Sequence, residues 1–223
     1  MHKKKGRIAA LIAAGAAVSL LVGGLVVGSN MGFKINLPLA PGQIQWISVP
    51  YTGSWTNARE LVDILTNKTV SSTNPDSTNL QRTLPTSPVS FEFWQFNQTG
   101  AVNFSIQEGE GFAVKPQLGD PTSAIVAGAH DPFQSIPAAG PFVANLLYLI
   151  SIPYHTTAVN ANDILQDLPG QTGTIFRLNP GSTPSFDFWQ QPTVTGGLNF
   201  PVVLGEAYEV KPQNNGTALL SHF

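Results

Sequence analysis

The sequence lacks cysteine altogether and carries little charge. Asp, Glu, Lys and Arg make up 11% of the 223 residues, against about 25% in an ordinary soluble domain. Without cysteine the protein has no disulfide bonds and no thiol chemistry. A nucleic-acid binder is also excluded, because it needs a basic surface to displace counterions from the phosphates. The hydrophobic residues, 42% of the chain, must therefore build a core without covalent cross-links.

The sequence patterns of common catalytic and metal sites are missing as well. There is no Gly-x-Ser-x-Gly turn of a serine hydrolase, no His-x-x-x-His pair and no glycine-rich phosphate loop. We therefore expect no enzyme activity, no bound metal and no cofactor.

The charges that are present are unevenly distributed. Four basic residues and no acidic residue lie between Lys3 and Arg7, and the rest of the chain holds seven basic and thirteen acidic residues. The uncharged run from Ile8 to Gly28 follows, and as a helix it would extend about 31 Å, enough to cross a bilayer core of about 30 Å. This pattern predicts a cleaved signal peptide or a retained membrane anchor over residues 1–29. A pilin-type signal cut after Gly6, which would leave the apolar helix on a filament subunit, is a third alternative. In each case we expect the remainder to be secreted or exposed at the cell surface.

An internal repeat divides the rest of the chain. Five blocks recur in the same order, which chance does not produce. The matching pairs are Ile47–Tyr51 with Ile150–Tyr154, Asn57–Val62 with Asn160–Leu165, Phe91–Gln95 with Phe186–Gln190, Asn103–Phe104 with Asn199–Phe200, and Gly109–Gln117 with Gly205–Gln213. We therefore predict a first repeat over residues 30–131 and a second over residues 132–223, with the junction at Asp131-Pro132.

Each repeat is predicted to be mainly β with one short helix. Asn57 and Glu60, like Asn160 and Asp163, have the spacing of a helix N-cap and its reciprocal acid. The other blocks alternate with period 2 and are bounded by Gly and Pro, which is typical of strands and turns. Ser123 to Gly128 and Thr217 to Leu220 are predicted closing strands, whereas the polar segment from Thr66 to Pro88 is predicted to be a long loop. The pattern favours two tandem β-sandwich or barrel-like modules.

Several motifs together carry a resemblance to a known group. They are Ser29-Asn30-Met31-Gly32-Phe33-Lys34, the Ile-Ser-x-Pro-Tyr block, the Gly-Glu-x-aromatic-x-Val-Lys block and Ala127-Gly128-Ala129-His130-Asp131-Pro132. With them the chain resembles uncharacterised secreted bacterial proteins that repeat such modules. The resemblance implies the modular β architecture and the extracytoplasmic location, and it implies no catalytic residues.

The candidate ligand site is an acidic and aromatic strand face that occurs in both repeats. If Phe91, Phe93 and their counterparts face the core, the tryptophans point the other way, beside a carboxylate and an amide. Such a surface is suited to sugar rings, which stack on an aromatic plane and hydrogen-bond to polar groups. The residues of this predicted site are Glu92, Trp94, Gln95, Asp187, Trp189 and Gln190. The competing interpretation is that both tryptophans pack under the helices or between the modules.

The sequence thus favours a secreted or cell-surface structural or adhesive protein over two alternatives. Low charge and the open strand edges of small β modules favour self-assembly, and Phe33 to Leu39 is a candidate for a donated strand. We expect its partners to be other copies of the chain or other surface proteins, and not nucleic acid. The alternatives are a carbohydrate-binding protein, whose partner would be a polysaccharide, and a pilin-like filament subunit. Membrane contact is expected only through residues 8–28, if they are retained.

Overall fold

The computed structural model describes residues 33–49, 53–129, 140–154, 156–181, 183–192 and 197–218. This part of the chain is mainly β, as predicted, and all of it belongs to one compact unit. In chain order the strands are β1 (Phe33–Pro38), β2 (Gln45–Ser48), β3 (Asn79–Leu84), β4 (Ser90–Trp94), β5 (Gly111–Lys115), β6 (Ser123–Gly128), β7 (Tyr148–Ser151), β8 (Gly173–Asn179), β9 (Ser185–Gln191) and β10 (Ala207–Pro212). The helices are α1 (Ala58–Thr66) and α2 (Ala161–Asp167).

The strands form two four-stranded antiparallel sheets and one two-stranded ribbon. The first sheet has the order β2-β5-β3-β4 and the second has the order β7-β10-β8-β9. Strands in equivalent positions of the two sheets occupy equivalent places in the two sequence repeats. The ribbon pairs β1 with β6, so the segment predicted as a donated strand pairs within its own chain.

Both predicted helices are present, and local side-chain chemistry explains where they begin. The side chain of Asn57 accepts a hydrogen bond from the Glu60 N–H at the start of α1. Asn160 and Asp163 form the full reciprocal capping box of α2, which satisfies two N–H groups that a helix start leaves unpaired. The apolar stripe of each helix is buried, with α1 in contact with β6 of the ribbon and α2 in contact with β8 and β9 of the second sheet. The residues of these stripes are Ala58, Leu61, Val62 and Leu65 in α1, and Ala161, Ile164 and Leu165 in α2.

Strand β3 corrects the prediction of a long loop from Thr66 to Pro88. It is the third strand of the first sheet and pairs with both β4 and β5. Only Leu80 within it is fully buried, so the segment has no alternating apolar pattern that would indicate a strand. Hydrogen bonding to a strand on each side compensates for the weak local preference.

The two repeats contact each other through reciprocal main-chain bonds. The Ser48 N–H donates to the Gly205 carbonyl at 2.8 Å, and the equivalent Ser151 N–H donates to the Gly109 carbonyl at 3.0 Å. Between them the buried hydroxyls of Ser48 and Ser151 share a hydrogen bond of 2.5 Å. Gly111 permits this approach, since a Cβ at that position would lie 2.6 Å from the Cβ of Ala207. Equivalent residues therefore meet as they would around a two-fold axis.

Some predictions fall outside the described residues. These include the segment of residues 1–29, the junction at Asp131-Pro132, and residues 219 and 220 of the second predicted closing strand. The described residues of that prediction, Thr217 and Ala218, belong to no strand. Within the described part of the chain, no helix is long and apolar enough to cross a bilayer.

Candidate functional site

The predicted acidic and aromatic face lies on β4 and β9, which are the end strands of their sheets. The period-2 alternation is present, but in β4 its orientation is opposite to the prediction. Trp94 is 7% exposed and lies in the hydrophobic core of the first repeat, whereas Phe91 is 58% exposed. The prediction that Phe91 faces the core and Trp94 faces outward is therefore wrong. Trp94 lies across from the fully buried Leu80, and burying the larger indole removes more apolar area from water than burying a phenyl ring would.

Strand β9 of the second repeat has the same orientation, but its tryptophan is less completely buried. Phe186 is 57% exposed, while Trp189 is half-buried against the second core. The Trp189 Nε1–H donates to Asn162 Oδ1 at 3.3 Å, which ties the indole to helix α2. The contact of Trp189 with α2 agrees with the competing interpretation that the tryptophans pack under the helices, and Trp94 is buried in the same hydrophobic cluster as α1.

The remaining residues of the predicted site are divided between two faces. Asp187 lies opposite Arg177 on the core side, whereas Gln190 lies opposite Thr174 on the other face. Gln95 accepts a hydrogen bond from the Asn79 side chain at 3.2 Å. The structure therefore does not bring the six residues together, and ligand binding by them stays a prediction.

The Glu92 carboxylate forms an ion pair with Arg82, a residue that the sequence analysis did not identify. Arg82 Nε donates to Glu92 Oε2 at 2.8 Å, and Arg82 Nη2 lies 2.6 Å from the same oxygen. The guanidinium also lies over the Phe104 ring, 4.8 Å from its centre. Arg82 was overlooked because it falls in the segment predicted to be a loop. The available signal was its counterpart Arg177, which stands at the same distance before the Phe-acid-Phe-Trp block.

The repeated glutamates Glu110 and Glu206 lie at equivalent turns and form ion pairs with these arginines. Glu110 accepts a hydrogen bond from the Gln107 N–H at 3.0 Å, which closes the turn before β5. Burial raises the pKa of Glu110 above its ordinary value. Glu206 binds Arg177 through both carboxylate oxygens, each at 2.9 Å. Two clefts of about 260 and 130 Å³ lie at equivalent places beside these pairs, between the repeats. The acids that flank the clefts are thus held in internal ion pairs.

Among the described residues, the aromatic side chains that are more than half exposed are Phe91 and Phe186 on the end strands. We call Phe91 and Phe93 on β4, and Phe186 and Phe188 on β9, the phenylalanine strips. In the first sheet they lie opposite Thr83 and Gln81, and in the second opposite Leu178 and Phe176. The Phe186 ring also contacts Trp46 of the first repeat, with ring centres 5.6 Å apart.

One charged residue lies in the cross-strand row of side chains that includes Phe188 of the second strip. Glu209 on β10 lies between Leu149 and Phe176, its neighbours on the adjacent strands. Burial raises the pKa of this carboxyl above its usual value. The equivalent residue of the first repeat is Ala113, between Trp46 and Gln81. The two strips therefore share exposed phenyl rings and differ in the residues that surround them.

Comparison with known proteins adds no assignment to these surfaces. The chain matches no protein-family model, and no curated protein and no solved structure is significantly similar to it.

Proposed function

We propose that this protein is a secreted or cell-surface structural or adhesive protein that self-associates through its phenylalanine strips. The observation that carries the proposal is the exposure of the same residue in both repeats, 58% for Phe91 and 57% for Phe186. Exposed apolar patches on soluble proteins commonly mark interaction surfaces. Each phenyl ring buried in a contact contributes roughly 1.5–3 kcal/mol.

The occupant proposed for each strip is the strip of another copy. A chain with a single self-complementary patch forms a closed dimer, whereas two patches on one chain allow each molecule to bind two others. Low charge supports this choice, because few ionic groups oppose the approach of identical chains. The strips themselves hold only phenyl rings.

The proposal includes the finer organisation of the chain. Each repeat is proposed to be a sandwich-like module with one four-stranded sheet and one short helix, and residues 1–29 are proposed to direct the modules out of the cytoplasm. The equal strand order of the two sheets and the uncharged run after the basic residues support these two points.

The test compares the double variant Phe91→Ser/Phe186→Ser with Leu118→Ser by sedimentation velocity over a range of protein concentrations. Leu118 is 82% exposed on a turn after β5, so its replacement removes apolar surface outside the strips. We expect the average mass of the unmodified protein and of Leu118→Ser to rise with concentration. The double variant should remain monomeric at concentrations about tenfold higher, because the loss of 1.4 kcal/mol per contact weakens binding tenfold.

Two results would contradict the proposal. One is an unmodified protein that stays monomeric up to its solubility limit, with no filaments in electron micrographs. The other is a double variant that associates as strongly as Leu118→Ser.

A further inference from the structure

The ribbon of β1 and β6 has one strand edge that is open and one that is protected. The β1 strand carries Lys34 and ends at Pro38, two residue types that discourage pairing with a further strand. The β6 strand has neither a charge nor a proline, and its Ile125 side chain is 54% exposed. An added strand would therefore meet least opposition at β6.

The register of the ribbon shows which backbone groups face that open edge. The Leu39 N–H donates to the Thr122 carbonyl at 2.8 Å just beyond the ribbon, so alternate pairs from there exchange hydrogen bonds. Ile125 lies opposite Asn36 in a pair that does not exchange bonds. The N–H and C=O groups of Ser123, Ile125 and Ala127 consequently point away from β1. Within the described residues these groups make no other hydrogen bond.

A groove runs along this open edge. It has a volume of about 660 Å³. Its main lining residues are Ser123, Ala124 and Ile125 of β6, with Asp63, Ile64 and Asn67 from the end of α1. Consecutive β6 residues alternate between the two faces of the strand, and no residue of β1 lines the groove. The groove therefore lies beside the strand, at the edge that β1 leaves uncovered.

The electrostatic character of the groove is negative. Asp63 stands in its wall. The Lys68 ammonium, which also lines it, is bound by two fully buried carboxylates, Asp76 and Asp120. The charge of Lys68 is thus more than neutralised by its own partners. The Asp63 carboxylate accepts a hydrogen bond from the Val70 N–H at 2.8 Å, and in the described part of the chain Lys68 is the one basic residue that lines the groove with it.

We propose that this groove binds an extended peptide segment of a partner protein, which adds a strand to the free edge of β6. Main-chain hydrogen bonds to Ser123, Ile125 and Ala127 would supply affinity, and alternate side chains would supply selectivity. An apolar side chain fits toward Ile64, and a basic side chain fits beside Asp63. This site lies on a different surface from the phenylalanine strips and does not depend on self-association.

The first experiment measures fluorescence anisotropy with the full chain and a labelled peptide, acetyl-Thr-Ile-Lys-Ile-Thr-Val-amide. Two further versions of the peptide carry N-methyl groups on alternate amides, one on the odd and one on the even positions. In an added strand only one of these sets of N–H groups faces β6. We expect one N-methylated peptide to bind at least about tenfold more weakly than the parent and the other to bind within about threefold. Equal binding of both methylated peptides, or no binding of the parent, would overturn the proposal.

The second experiment uses a matched pair of proline variants. Ile125→Pro removes an N–H at the open edge of β6 without removing a bond to β1. Asn36→Pro, the control, removes the corresponding N–H at the opposite edge of the same residue pair. We expect Ile125→Pro to weaken peptide binding about tenfold and Asn36→Pro to leave it unchanged. Equal effects of the two variants would contradict the proposed position of the peptide.

Circular dichroism establishes whether the proline variants fold, and the N-methylated peptides decide the question if Ile125→Pro does not. A second copy of the chain is the competing occupant of the groove. If the protein dimerises through β6 without peptide, and Ile125→Pro abolishes that dimer, the assignment to a partner peptide is wrong.

Discussion

At the turn before β5, the N–H of Gln107 donates to the Glu110 carboxylate at 3.0 Å. At the equivalent turn before β10, the N–H of Val203 donates instead to the Tyr208 hydroxyl at 2.7 Å. The first repeat has Phe112 at the position of Tyr208, so it has no hydroxyl to offer and a carboxylate takes that role. In the second repeat both Glu206 oxygens bind Arg177, and Glu206 Oε2 also accepts a hydrogen bond from the Tyr208 hydroxyl at 3.1 Å.

The same exchange occurs where the chain enters each sheet. The Ala40 N–H donates to the Gln45 side-chain oxygen at 2.9 Å, whereas the equivalent Val143 N–H donates to the Tyr148 hydroxyl at 2.7 Å. In both places the backbone donor stays in position while the side-chain acceptor differs. The comparison shows that the repeated backbone determines which N–H groups need an acceptor. Any side-chain oxygen that reaches such an N–H group can accept its hydrogen bond.

A third difference is a buried ion cluster that only the first repeat contains among the described residues. Lys68 bridges Asp76 and Asp120, and the Gln117 N–H donates to Asp120 Oδ2 at 2.9 Å. In the second repeat the chain between helix and strand is shorter, and the equivalent Gln213 N–H donates to the Thr172 carbonyl at 3.2 Å. The longer connection of the first repeat is thus held by charges, and the shorter one by the backbone.

The largest expected effect follows from breaking the ion cluster with Lys68→Met. The substitution leaves two carboxylates, each with a fully buried side chain, without their cation. Removing one partner of such a buried pair costs about 3–5 kcal/mol. Urea unfolding at pH 7 measures this loss, and Lys115→Met, which removes an exposed lysine, should cost almost nothing. A loss no larger than that of Lys115→Met would show that the cluster does not hold the first repeat together.

The pH dependence of the same variant has a definite sign. Burial by itself raises the pKa of Asp76, but hydrogen bonds from Lys68 and Thr78 outweigh it and hold the pKa below the ordinary value. A folded-state pKa below the unfolded one stabilises the protein above the unfolded pKa, and this stabilisation is lost as the pH falls through the folded pKa. The difference in unfolding free energy between the unmodified protein and Lys68→Met should therefore become smaller as the pH falls.

An intermediate effect is expected for Tyr208→Phe, which gives the second repeat the residue that the first repeat has. The Val203 N–H loses its acceptor, and a half-buried donor without a partner costs about 1–2 kcal/mol. Urea unfolding again provides the measurement. Unchanged stability would mean that Glu206 turns to accept the N–H as Glu110 does, and would show that the two acceptors are interchangeable within one repeat.

The smallest effect is expected from Glu209→Gln. Burial raises the pKa of Glu209, so the folded state favours the protonated form, and stability falls as the pH rises through the unfolded and then the folded pKa. Relative to the unmodified protein, the variant should gain stability between about pH 3.5 and pH 7, by no more than about 0.5 kcal/mol. Thermal unfolding at the two pH values measures the change. Ala113→Glu, which places the carboxylate in the first repeat, should show the opposite sign, and equal signs would contradict the burial argument.

Much of the fold could be predicted because the signals are local. Asn57 and Asn160 indicated the helix starts, since an N-cap and its reciprocal acid lie only three residues apart. The strand Ser123–Gly128 was also predicted, as the closing strand of its repeat. Strand β3 was not, because Leu80 alone carries the burial and the pairing partners lie far along the chain. The ion pair of Arg82 with Glu92 was not predicted for the same reason, since Arg82 lies on β3.

The sequence alone indicated the repeat, which appears as matching blocks of residues. It also indicated the helix caps and the period-2 alternation of the strands, because these depend on residues close together in the chain. Which face of β4 is buried is determined by tertiary packing and could not be predicted from the alternation. Alternation divides a strand into two faces without naming the inner one, and in β4 the inner face is the one that carries Trp94 beside the buried Leu80. That packing placed Trp94 in the core and left Phe91 and Phe186 in contact with water. Long-range packing, which no local pattern encodes, therefore determined the surface that this protein presents.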